Sequence, residues 1–190
     1  KNHNMLMIVR DGEHGLVPLA ARLDLAAAFP GGAITRTTVL DYSGCDWTRT
    51  LVWFRNDCVV VVDTVTARQP GTYELRCYWR TLGDAMRTER GLHANRAGEH
   101  FDLVELTASE HALSVEPHQV NEAKYRPYRY GDPAAKVLRQ RRLLRLRRGE
   151  QTCFVNVFFA SGPDQAPSST PGSTTGADRA AAPRPPRRAP

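Results

Sequence analysis

No apolar run in this chain approaches the roughly 20 residues that a helix needs to cross a bilayer, so neither a membrane helix nor a membrane partner is expected. The four cysteines, Cys45, Cys58, Cys77 and Cys153, show no CxxC spacing, which argues against a zinc knuckle or a thiol redox motif. The sequence has no GxSxG elbow and no glycine-rich phosphate loop, so elbow-type nucleophilic hydrolysis and nucleotide chemistry lack their usual carriers. An initiator methionine is also missing. Lys1 comes first and a strand signal follows almost at once, so the chain reads as a fragment truncated on its N-terminal side.

What is present points to β structure. From Leu40 to Arg80 the sequence reads as three consecutive antiparallel strands joined by short turns. Thr48, Thr50, Val52 and Phe54 alternate with Arg49, Leu51, Trp53 and Arg55, a period of two rich in β-branched and aromatic residues. Asn56-Asp57 supplies a turn, Cys58 to Val62 is a short apolar run, and Asp63 ends it. After Gln69-Pro70-Gly71, the residues Tyr73, Leu75, Cys77 and Trp79 share one face of a further strand. Such a meander must bury its apolar face against a second sheet. At 190 residues and 41% hydrophobic content the chain can build one. The expected fold is therefore all-β: an antiparallel β-sandwich of two packed sheets over 1–161. A disordered tail rich in Pro, Ala and Ser follows at 162–190, where no large apolar residue occurs. Three of the cysteines sit in apolar strand-like runs and read as buried free thiols, with a disulfide between neighbouring strands left open.

The formal net charge of +6 suggests nucleic acid until it is mapped. Lys136, Arg139, Arg141, Arg142, Arg145, Arg147 and Arg148 follow one another without an intervening acid, so the rest of the chain is slightly negative. Leu144 and Leu146 alternate with Arg145 and Arg147, and Arg148-Gly149-Glu150 leads into a second apolar run, which predicts a hairpin rather than a basic helix. Its arginines would line one exposed sheet face, solvating it or meeting an anionic polysaccharide. No aromatic residues interleave with them as single-strand readers require, and no nucleic-acid partner is expected.

Thr81 to Glu99, with its scattered glycines, suggests an excursion between sheets, with a short helical turn near Asp84 to Arg90. Phe101 to Leu106 and Ala112 to Val115 resume strands, and Glu116 to Pro133 forms a loop carrying Tyr125, Tyr128 and Tyr130. Tyrosine rings can stack on sugars or staple a loop to the sandwich. His14, His93, His100, His111 and His118 form no HxxxH or HxH pair and read as surface or loop residues. Asp11, Asp24, Asp63 and Asp102 end or flank strands, the ordinary place for a solvated aspartate. Spacing alone neither selects nor rejects a carboxylate pair of the glycoside-hydrolase kind.

One ordered set of motifs carries more. His3-Asn4 precedes an apolar strand that ends at Asp11-Gly12. Trp47 and Arg49 follow on a later strand, then VVVVD ending at Asp63, then GTYELRCYWR. This order resembles the C-terminal domain of heparinase II/III-like polysaccharide lyases, over roughly Asn2 to Ala160. In that family His-Asn-Thr-x-x-x-Val-Asp-Gly opens a β-sandwich; Met5 stands here in place of Thr, and Arg10 is an extra residue before Asp11-Gly12.

The resemblance implies a parent enzyme that cleaves uronate-containing glycans by β-elimination, with its main catalytic groups in a helical toroid that this chain lacks. The sandwich alone would then be inactive. It implies a catalytic or metal-supporting role for His3 and substrate contacts from Asn4 and Arg49, with Tyr125 and Tyr128 as further sugar-binding candidates. A structural zinc is known in some members, but Trp79-Arg80 stands where a second histidine ligand would be sought. It also implies a periplasmic or extracellular setting. The alternative is a non-catalytic carbohydrate-binding sandwich.

Overall fold

The computed structural model describes residues 4–107, 112–117 and 136–161. His3, Tyr125, Tyr128 and the 162–190 segment lie outside these described residues. The described residues form strands and turns without a helix: β1 (Leu6–Arg10), β2 (Arg22–Phe29), β3 (Gly32–Tyr42), β4 (Cys45–Phe54), β5 (Cys58–Ala67), β6 (Gly71–Thr81), β7 (Asp84–Thr88), β8 (Gly91–Arg96), β9 (Glu99–Glu105), β10 (Ala112–Pro117), β11 (Lys136–Leu146) and β12 (Gln151–Ser161). No described helix is long and apolar enough to cross a membrane.

The strands make two antiparallel sheets, as the alternation predicts. One has four strands in the order β1-β6-β11-β10, the other eight in the order β2-β3-β4-β5-β12-β9-β8-β7. Their inner faces form the core. Leu6, Ile8, Tyr73, Leu75, Cys77 and Leu138 come from the small sheet, and Val61, Val65, Leu92, Leu103 and Phe154 from the large one. Burying a side chain of this size contributes about 1.5–3 kcal/mol. Alternation places Tyr73, Leu75, Cys77 and Trp79 inward on β6, in agreement with their shared face in sequence. All four cysteines are free thiols; Cys45 and Cys77 are buried.

The connections depart from the sequence reading in three places. The meander consists of β2, β3, β4 and β5, whereas β6 leaves it for the other sheet and pairs with β1 and β11. The predicted basic hairpin is instead a corner: β11 belongs to the small sheet and β12 to the large one, joined through Arg147 to Glu150. Gly149 turns there with φ of 85°. Third, the excursion after Thr81 is itself a pair of strands, β7 and β8, and Asp84 to Thr88 is extended rather than helical. The corner before β6 is pinned by Tyr73, whose hydroxyl donates to the Gln69 carbonyl at 2.7 Å. Burial pushes the Tyr73 phenol up to about 12.

Candidate functional site

Asp63 is fully buried in the middle of β5, not solvated at a strand end. Its position in β5 aligns it with Val61 and Val65 on the inner face, so a charged partner must come with it. Arg49, directly opposite on β4, supplies it. The Arg49 Nε donates to Asp63 Oδ1 at 2.7 Å and its Nη2 to Oδ2 at 2.9 Å, a two-point guanidinium–carboxylate pair. Trp47 Nε1 donates to the same Oδ1 at 2.7 Å. The guanidinium carbon lies 5.1 Å from the Trp47 ring centroid and 5.0 Å from that of Trp79. Burial alone would lower the Arg49 pKa; the Asp63 carboxylate outweighs it and raises the pKa.

The remaining Arg49 donor fixes the start of the described chain. Nη1 donates to the Asn4 carbonyl at 2.9 Å, and the Asn4 side-chain Oδ1 accepts the Arg80 backbone N–H at 2.8 Å. Tyr78 N–H donates to the Met5 carbonyl at 3.0 Å, continuing the β1–β6 pairing outward. Asn4 is thereby held on both sides. A cavity of about 190 Å³ opens beside it, lined by Asn4, Trp79, Arg80, Thr81, Phe101 and Phe158 among others.

The inner wall of this cavity is aromatic with a polar backing. Trp79 packs edge-on against Phe158 at a centroid distance of 4.8 Å, and Phe101 lies 5.8 Å from the same ring. Trp79 Nε1 donates to Gln140 Oε1 at 3.0 Å, and the Gln140 and Asn156 amides exchange bonds at 2.6 and 3.2 Å between the sheets. Both amides are fully buried, so this exchange fixes the facing of β11 and β12. The signal that could have found Gln140 is its phase with inward Leu138, a pattern legible in the sequence. The convergence of Trp79, Phe101 and Phe158 was not, because it joins strands from different sheets.

The structure brings Asn4 and Arg49 together, and His3 directly precedes Asn4 in the chain. The groups described around Asn4 are the Arg49 guanidinium, aromatic rings and a carboxylate whose oxygens both accept from Arg49, while His3, the candidate metal ligand, lies outside the described residues. Among the described residues no group of three or more His, Cys, Asp and Glu is arranged to hold a metal. Elsewhere, strand pairing joins histidines that are separated in sequence. His93 Nδ1 lies 2.7 Å from Asp102 Oδ1, and the His93 and His100 rings stack at 5.5 Å on the outer face of β8 and β9. Asp24, on β2, accepts from the Thr38 hydroxyl at 2.5 Å. At the opposite end of β6, an open hollow of about 450 Å³ is lined by Asp41, Arg68, Gln69 and Arg148, with no aromatic surface.

No family model matches the chain, and no curated protein matches it by sequence. Solved structures do. The chain is similar to the heparan sulfate lyase HepC from Pedobacter heparinus, with a TM-score of 0.64 and 17% identity, covering 85% of this chain and 25% of that one. It is similar also to a heparinase III, with a TM-score of 0.61 and 10% identity, covering 82% of this chain and 23% of the other. A heparinase III with methylated lysines gives a TM-score of 0.60 at 12% identity. The chain thus spans about a quarter of these larger proteins and shares the fold of that part.

Proposed function

We propose that this chain is the β-sandwich domain of a heparinase II/III-like polysaccharide lyase. Its substrate is an acidic, uronate-containing glycan, and its cleft is completed by a helical toroid outside this chain. The observation that carries the reading is the position of Asn4, which His3 directly precedes in the chain: Asn4 lines a cavity in a fold shared with a heparan sulfate lyase. β-Elimination requires the uronate carboxylate to be neutralised, the adjacent C–H proton removed and the departing glycosidic oxygen protonated. In this reading His3 works at the cleft as a proton-transfer group. Asn4 contacts substrate, and Arg49 acts beside it by holding the Asn4 carbonyl. The rings of Phe101 and Phe158 offer a surface for a sugar face, and Tyr125 and Tyr128 add further stacking contacts. The setting is periplasmic or extracellular, where such glycans occur.

Two measurements test this. The chain alone, incubated with heparan sulfate and alginate, is expected to give no rise in unsaturated-product absorbance; a rise would overturn its dependence on the toroid. In the toroid-containing parent, His3→Ala should lower kcat by about 10²-fold or more. An unchanged kcat would remove His3 from the chemistry.

A further inference from the structure

The outer face of the four-stranded sheet carries Arg76 from β6 and Arg139, Arg141 and Arg145 from β11, with Glu74 and Glu116 as its acids. Charged residues usually guard sheet edges, yet β6 and β11 are the two central strands of this sheet. Arg76 and Arg141 stand directly opposite each other, a like-charge pairing that costs stability in a sheet. One carboxylate serves both: Glu74 accepts two bonds from Arg76 at 2.8 and 2.7 Å and a third from Arg141 Nε. Arg139 pairs with the exposed Glu116 at 2.9 Å, and Arg145 has no ion pair among the described residues. Leu143, 62% exposed, and Tyr78, opposite Arg139, place apolar surface between the charges.

We propose that this face is a binding surface for an extended anionic glycan bearing carboxylate or sulfate groups. It lies on the side of the sheet opposite the Asn4 cavity. Residues two apart along β11 repeat at about 6.8 Å, so Arg139 to Arg145 form a rigid row about 20 Å long. Guanidinium forks match carboxylate and sulfate oxygens, and Glu74 pre-orients Arg76 and Arg141 without neutralising both. A repeating polyanion would relieve the excess positive charge along the row. The choice of a glycan over a nucleic acid rests on the proposed function; the anionic character of the ligand does not.

The test uses the full 190-residue chain and titrates size-defined heparan sulfate oligosaccharides by calorimetry at two salt concentrations. The triple variant Arg139→Ala/Arg141→Ala/Arg145→Ala is expected to lose at least about tenfold in affinity and most of the salt dependence. A control variant with the same loss of charge, Arg55→Ala/Arg87→Ala/Arg90→Ala, removes exposed arginines elsewhere and should change affinity less than about threefold. Arg145→Glu alone, which disturbs no described ion pair, should weaken binding in the same direction. Equal losses from both triple variants would overturn the proposal in favour of diffuse attraction, and no loss from either would overturn it outright. A single-stranded oligonucleotide of matched charge binding more tightly than heparan sulfate would overturn the glycan assignment and leave a nucleic-acid surface. Binding is read without turnover, so a parent enzyme that proves not to be a lyase leaves the result interpretable.

Discussion

At the scale of single residues, Asp63 decides the most. A carboxylate at the centre of a buried strand face is tolerated because Arg49 and Trp47 occupy its oxygens, and Cys77 Sγ lies 3.8 Å from Oδ2. Asp63→Ala would leave the guanidinium inside without its partner, and a loss of about 3–5 kcal/mol in urea unfolding is expected. The same variant should loosen the Asn4 lead-in, because Arg49 would no longer be oriented toward the Asn4 carbonyl. Exchange protection at the Arg80 amide, which donates to Asn4 Oδ1, reads that loosening independently. Both members of this pair could be picked out in the sequence, Arg49 by its strand phase and Asp63 by the valines before it. Their pairing could not. A strand-ending aspartate and one buried at mid-strand look alike until the length of β5, which runs on to Ala67, is known.

At the scale of elements, alternation made β4, β6 and β11 legible and short apolar runs marked β1, β5 and β12, because these strands carry their inward residues in recognisable patterns. β2 was missed for the complementary reason: RLDLAAAF is exposed along its whole length and shows no inside–outside contrast. Sheet membership was also hidden. Tyr73, Leu75, Cys77 and Trp79 have the same phase whether β6 continues the meander or crosses to the other sheet. Short corners make that choice, and the β11–β12 corner turns on Gly149. A Cβ there would meet nothing within 4 Å, so Gly149→Ala should cost only the strain of a left-handed backbone, about 1 kcal/mol, visible as a lower melting temperature. The cavity was illegible for the same reason as the corners, since its rings come from β6, β9 and β12.

At the scale of the whole molecule, two groups contribute stability that depends on pH at opposite ends of the range. Hydrogen bonds from Arg76 and Arg141 lower the Glu74 pKa from 4.5 to about 2. The folded state therefore holds this proton less readily than the unfolded chain. The stability Glu74 contributes is present above about pH 4.5 and is lost as pH falls toward 2. Tyr73 acts in the opposite sense. Burial raises its pKa from 10.0 to about 12, so its contribution is complete below pH 10 and declines as pH rises toward 12. Urea midpoints measured across pH should show both limbs, and Glu74→Gln should flatten the acid one while leaving the alkaline one unchanged.

The strand order of the small sheet also governs how the protein is made. β6 pairs with β1, which precedes it, but its other neighbour, β11, emerges from the ribosome only after everything from Leu82 to Ala135 has been synthesised. During that interval β6 presents an open row of backbone donors and acceptors beside its apolar inward face. Such an edge invites pairing with a second nascent chain. Slowing elongation within that stretch should therefore lower the soluble yield of the protein without altering the stability of the molecules that do fold.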